Sequence, residues 1–199
     1  MGAVMLLNGS PRAPVSNSKR YAQLYLNYCK NAEYFEITRK NQVELLEKMP
    51  EFSDVLLIFP LYADGLPVSL LRFLEFWEEN PPGKAPRVSV LINCGFYEPE
   101  QNDVAVEMVK LFCRQSGCGF GACLEIGGGE AILDTPFKGL AARGIKKLAR
   151  EVEKGGGAQL RVKMPITRKM FVNASTGYWT GRGRENGLTR EEMDTMKIE

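Results

Sequence analysis

The chain has 199 residues, 44% hydrophobic and 25% charged, with 26 basic against 24 acidic side chains and no histidine. That length suffices for one well-buried domain and an appendage, and a net charge of +2 gives no electrostatic reason to expect a nucleic-acid partner. Without histidine, Ser-His-Asp and Cys-His catalysis, histidine-based zinc sites and imidazole acid–base chemistry are all excluded. An enzyme of this composition needs a borrowed reagent, most simply a redox cofactor.

The five cysteines (Cys29, Cys94, Cys113, Cys118, Cys123) include no C-x-x-C pair. An odd, unpaired set fits reduced thiols rather than a disulfide scaffold. No apolar run approaches a membrane span, and Ala3–Leu7 is too short for a secretory segment. The expectation is a cytoplasmic protein with no metal, membrane or nucleic-acid partner.

In chain order, Ala3–Leu7 is a continuous apolar run of the kind expected from a strand buried on both faces. Residues 17–30 then place Tyr21, Leu24, Tyr25 and Tyr28 at helical spacing. A weaker strand at 33–37 and a short helix at 42–49, stopped near Pro50, come next. Residues 54–59 read as the central strand, and 67–79 as a helix with Pro67 in its first turn. A strand at 88–92, a helix at 103–115, a strand at 122–126 and a helix at 137–153 complete the series. Alternation of this kind predicts an α/β three-layer sandwich: a five-stranded parallel sheet with helices on both faces.

In such sheets ligands sit beyond the carboxyl ends of the strands. Four unusual segments follow strand ends: Asn8–Ser18, Pro60–Gly65, Asn93–Tyr97 and Gly127–Gly129. In the first, Ser10, Ser16 and Ser18 surround a helix start whose unpaired amides favour an anion. Neither the P-loop nor the dinucleotide fingerprint is present. The same residues also make ordinary turn and N-cap chemistry. In the second, Tyr62 and the peptides of 61–64 offer an aromatic surface and N–H donors to a flat ring with polar edges. In the third, Asn93 carries donors and acceptors for a heterocycle edge and Gly95 permits close approach. Cys94 is read as a small buried hydrophobe.

Asn8-Gly-Ser-Pro-Arg12 with Ser16-Asn-Ser18, Pro60-Leu-Tyr-Ala-Asp64 and Asn93-Cys-Gly-Phe-Tyr97, in that order, resemble the NAD(P)H-dependent FMN reductase group of the flavodoxin-like superfamily. The resemblance spans residues 3–153. It implies FMN as cofactor, with Ser10, Arg12, Ser16, Asn17 and Ser18 serving its phosphate. It further implies Pro60, Leu61, Tyr62 and Ala63 on the isoalloxazine ring, and Asn93, Gly95, Phe96 and Tyr97 on its other edge. NADH or NADPH would be the co-substrate, and a small acceptor (quinone, flavin, nitro or azo compound, or metal ion) would take the electrons. No side chain is assigned a catalytic role, since the flavin carries the chemistry. The alternatives are a non-enzymatic FMN electron carrier and a cofactor-free binding module.

Residues 1–154 therefore read as the FMN-binding domain and 155–199 as a C-terminal extension beginning at a glycine hinge, Gly155–Gly157. From Arg161 to Arg184 this segment holds six basic residues and no acidic one, interleaved with Phe171, Tyr178 and Trp179. An aromatic-bearing tail is not disordered by composition, and the expectation is an arm packed across a second subunit in a homodimer, with Trp179 as an anchor, the alternative being an arm folded back on its own domain with its charges solvated.

Overall fold

In the computed structural model, which describes residues 2–12 and 15–195, the long apolar runs become strands and the periodic segments become helices. The elements are β1 (Val4–Asn8), α1 (Asn17–Leu26), β2 (Ala32–Glu36), α2 (Gln42–Lys48), β3 (Asp54–Pro60), α3 (Val68–Glu79), β4 (Arg87–Asn93), α4 (Asp103–Gln115), β5 (Gly119–Ile126), α5 (Lys138–Glu153) and β6 (Gln159–Val162). All pair in parallel, in the order β2-β1-β3-β4-β5-β6. Every crossover thus carries a helix, as parallel pairing requires.

Alternate residues of the strands feed two cores. Met5, Leu7, Val55, Leu57 and Phe59 pack with α2, α3 and α4, where Trp77 meets Phe112 edge-on at 5.2 Å. On the opposite face α1 and α5 pack together, and Tyr21, Tyr25, Ile145 and Leu148 are buried there with Leu6, Leu56, Ile58, Leu91 and Leu124. α1 ends at Leu26 rather than at residue 30: Tyr28 and Cys29 both donate to the Tyr25 carbonyl in a closing turn.

Two expectations are corrected. The sheet has six strands, not five, because Gln159–Val162 adds along β5 in register Cys123↔Gln159 to Ile126↔Val162. The strand escapes sequence reading because it is four residues long and offers only Leu160 and Val162 as apolar signal. The glycines before it do not form a hinge but the closing turn of α5. Gly155 has φ +74° and donates to Val152 O, while Gly156 donates to Glu151 O at 2.8 Å. The compact unit that holds the sheet runs to Met164.

The second unit, from Pro165 onward, holds α6 (Arg168–Glu185) and α7 (Arg190–Thr195). Thr167 caps α6 by accepting from Met170 N. Arg190 donates to Thr180 Oγ1 at 3.0 Å, tying the two helices into a hairpin. α6 buries none of its residues, and Tyr178 and Trp179 stand edge-to-face at 5.1 Å while remaining more than half exposed.

Candidate functional site

The carboxyl ends of β1, β3 and β4 open on one cleft of about 460 Å³, inside the range of ligand pockets, about 300–1,000 Å³. Ser10, Arg12, Ser16, Asn17, Ser18, Pro60, Tyr62 and Asn93 line it. Leu61, Ala63, Gly95, Phe96 and Tyr97 do not. Leu61 is buried beneath the strand end, where its amide donates to Asn93 O at 2.8 Å, and Tyr97 carries Lys163 over its ring at 5.1 Å.

The first loop is shaped by Asn8, buried at the end of β1. Its Oδ1 accepts from Ser10 N at 2.9 Å, and its Nδ2 donates to Tyr34 OH at 2.9 Å. Burial pushes the Tyr34 hydroxyl up to about 12, so it stays protonated and donates onward to Glu36 Oε1 at 3.1 Å. Ser10 Oγ then accepts from Arg12 N at 3.3 Å. Ser16, in extended backbone, caps α1 by accepting from Lys19 N at 3.1 Å. Ser16 takes the amides of Lys19 and Arg20, which leaves those of Asn17 and Ser18 outside the helix's own bonds. Ser18, one turn position on, is buried and its Oγ has no hydrogen-bond partner. An orphaned hydroxyl at a helix start, with Arg12 free of any ion pair among the described residues, is a donor set that fits an anion.

In the second loop, Ala63 (φ 47°) and Asp64 (φ 56°) both lie in the left-handed region, with Tyr62 and Gly65 exchanging backbone hydrogen bonds of 3.2 and 3.0 Å. This is a mirror-image turn without glycine at its centre, a strain of order 1 kcal/mol per residue of the kind kept at ligand sites. It holds the Tyr62 ring at the cleft wall, 37% exposed.

Sequence reading missed the fourth side. Glu130, Lys19, Arg20 and Gln23 also line the cleft. The signal was the Gly127–Gly129 run: a Cβ on Gly129 would stand 2.6 Å from Asn93 Cβ, and one on Gly127 would collide with Tyr97 O. Glycine there lets the loop after β5 press on the loop after β4, where Gly129 N donates to Cys94 O and Gly128 N to Phe96 O. The loop is also tied to α1. Tyr21 OH donates to Gly129 O at 2.6 Å, and Arg20 grips Asp134 through both its nitrogens at 2.8 and 2.5 Å. That guanidinium holds the Asp134 carboxyl below its ordinary range. Glu130 is the single carboxylate among the residues lining the cleft and stands beside Gly95.

No cysteine lines the cleft. Cys94 is buried among the carbonyls of Phe96, Glu98 and Ile126, and burial pushes it up to about 11. All five cysteines are free. Among the described residues no cluster stands where it could hold a metal ion, and no helix is long and apolar enough to cross a membrane.

No family model and no curated protein matches this chain. Solved structures do. A flavodoxin from Streptococcus pneumoniae TIGR4 superposes with a TM-score of 0.56 at 14% identity, covering 76% of this chain and 99% of the other. The chain has the flavodoxin-like fold. Two further structures share this flavodoxin-like architecture. One is an FMN-dependent NADH-azoreductase from Bacillus anthracis str. Ames Ancestor in complex with FMN (TM-score 0.56, 14% identity, covering 76% and 99%). The other is an NAD(P)H:quinone oxidoreductase from Methanothermobacter marburgensis (0.58, 14%, covering 76% and 96%).

Proposed function

We propose that the protein is an FMN-dependent NAD(P)H oxidoreductase that reduces a small acceptor such as a quinone, flavin, nitro or azo compound, or metal ion. The observation that carries this reading is the buried, unpartnered Ser18 Oγ at the start of α1, in the same cleft as Ser10, Ser16, Arg12 and the strained Tyr62 turn. Two solved structures of this fold are named for FMN, NADH or NAD(P)H chemistry.

Ser10, Ser16, Asn17, Ser18 and Arg12 would hold the FMN phosphate, neutralising it with one guanidinium and the positive end of α1. Pro60 and Tyr62 would support the ring, and Asn93, whose Nδ2 donates to Phe59 O at 3.2 Å, keeps its amide oxygen for a ring N–H. Bound FMN supplies two-electron transfer from a nicotinamide to the acceptor. The chain's own part is to bind, orient and exclude water, which requires no histidine. Leu61, Ala63, Gly95, Phe96 and Tyr97 lie outside the cleft itself; in this reading Phe96, half exposed, meets the ring or acceptor from the rim.

The experiment is reconstitution with FMN followed by anaerobic addition of NADH or NADPH. The expected result is a flavin spectrum that bleaches with nicotinamide and recovers with a quinone. Flavin binding without bleaching would indicate an electron carrier, and no flavin uptake would indicate a binding module. We also read the protein as a cytoplasmic homodimer joined through Tyr178 and Trp179 of α6; sedimentation of the Trp179→Ala variant as a monomer is the expected outcome, and an unchanged dimer would refute it.

A further inference from the structure

β6 is the last strand of the sheet, with nothing beyond it in the strand order. The carbonyls of Ala158 and Val162 accept from Cys123 and Gly127. In a parallel ladder the polar groups of alternate residues face alternate sides. Those of Gln159, Arg161 and Lys163 therefore face away from β5, and among the described residues no backbone group bonds them there.

Alongside runs a groove of about 550 Å³ between this edge and α5. Its floor is apolar, formed by Leu140, Gly144, Leu160 and Val162. Its helical wall carries Arg143, Lys147 and Arg150, spaced i, i+4, i+7 on one stripe, all exposed and none ion-paired among the described residues. Lys163 stands at the strand rim beside Arg161, whose guanidinium is already paired with Glu100, Asp103 and Glu125. No carboxylate lines the groove.

We propose that this edge is a docking site for an extended acidic polypeptide segment, which adds to β6 as a seventh strand. An open row of strand amides and carbonyls is a template for a polypeptide backbone rather than for a small anion. Side chains on one face of a strand repeat about every 6.6 Å; at about 1.5 Å rise per residue Arg143 and Lys147 are about 6 Å apart along the helix axis and Lys147 and Arg150 about 4.5 Å, a difference that long side chains span. Carboxylates on alternate residues of the added strand therefore meet Arg143, Lys147 and Arg150 in turn. The intervening side chains project to the face away from α5. The same cations repel basic edges, a second copy of β6 among them, so the charge selects its partner.

The test uses the full chain and a fluorescein-labelled ten-residue peptide of alternating Glu and Val, with a Lys-Val peptide and a ten-nucleotide oligothymidine as comparisons. The Glu-Val peptide is expected to bind, to weaken with added salt, and to slow hydrogen exchange at the amides of Gln159, Arg161 and Lys163. The variant Arg143→Glu, Lys147→Glu, Arg150→Glu, all at exposed positions, is expected to lose about tenfold or more in affinity; Lys147→Glu alone provides a milder check if the triple variant folds poorly. Binding without protection of those amides overturns the strand addition. Failure of the Glu-Val peptide to bind, or oligothymidine displacing it without itself protecting the edge, overturns the proposal in favour of an unselective polyanion surface.

Discussion

Asn17 donates from Nδ2 to the backbone oxygen of Glu130 at 3.3 Å, joining residues 113 positions apart across the mouth of the cleft. The same Asn17 presents Oδ1 to Arg20 at 3.0 Å, and Arg20 holds Asp134. The start of α1 and the loop after β5 are thus one assembly, and the cation at position 20 is spent on positioning rather than on a ligand.

Replacing Ser18 with Ala separates stability from binding. Its Oγ is buried and unsatisfied, so its removal is expected to stabilise the flavin-free protein by about 1 kcal/mol. Combined with Ser10→Ala, it is expected to weaken FMN by about 1.5–3 kcal/mol per hydroxyl, the value of a hydrogen bond to a charged group. Riboflavin, lacking the phosphate, should bind the double variant as it binds the parent. Urea unfolding and flavin titration read the two effects, and unchanged FMN affinity would sink the phosphate assignment.

Tyr62→Ala is expected to weaken FMN and riboflavin alike, because a ring platform does not depend on the phosphate. Fluorescence titration with both flavins checks it. Weakening of FMN alone would assign Tyr62 to the phosphate end instead.

Gly129→Ala would drive a methyl against Asn93 Cβ at 2.6 Å, between two backbones. The expected cost is about 1–3 kcal/mol of stability, as for overpacking, with weaker flavin binding as Asn93 is displaced. Gly139→Ala in α5 meets nothing within 4 Å and is expected to stabilise the helix by about 0.5–1 kcal/mol. Equal effects from the two substitutions would show that space at Gly129 is not what matters.

Glu125 gives stability a pH dependence. It is fully buried on β5, with Gln159 Nε2 donating to its Oε1 at 2.7 Å and its other oxygen unpartnered. Burial pushes its carboxyl from 4.5 to about 7, the Gln159 hydrogen bond and Arg161 opposing and Asp103 adding to the rise. The folded state therefore holds more protons than the unfolded one between these values, so stability falls as pH rises through the window and levels off above it. Glu125→Gln is expected to flatten this decline in urea unfolding between pH 5 and 8. An identical slope in parent and variant would refute it.

The layered α/β architecture was legible in the residues alone, because apolar runs such as Val55–Phe59 suit strands buried on both faces, and periodic segments such as 103–115 must lay one face on them. It also placed the three loops at strand ends, where Ser10–Ser18, Tyr62 and Asn93 meet in one cleft. Only the tertiary structure brought Glu130 and Arg20 into that cleft, since their contacts run to residues more than a hundred positions away and leave no local pattern. The tertiary structure likewise turned Gln159–Val162 into a strand. A four-residue segment with two apolar side chains has too little pattern of its own, and β5's free edge supplied the hydrogen bonds that decided it.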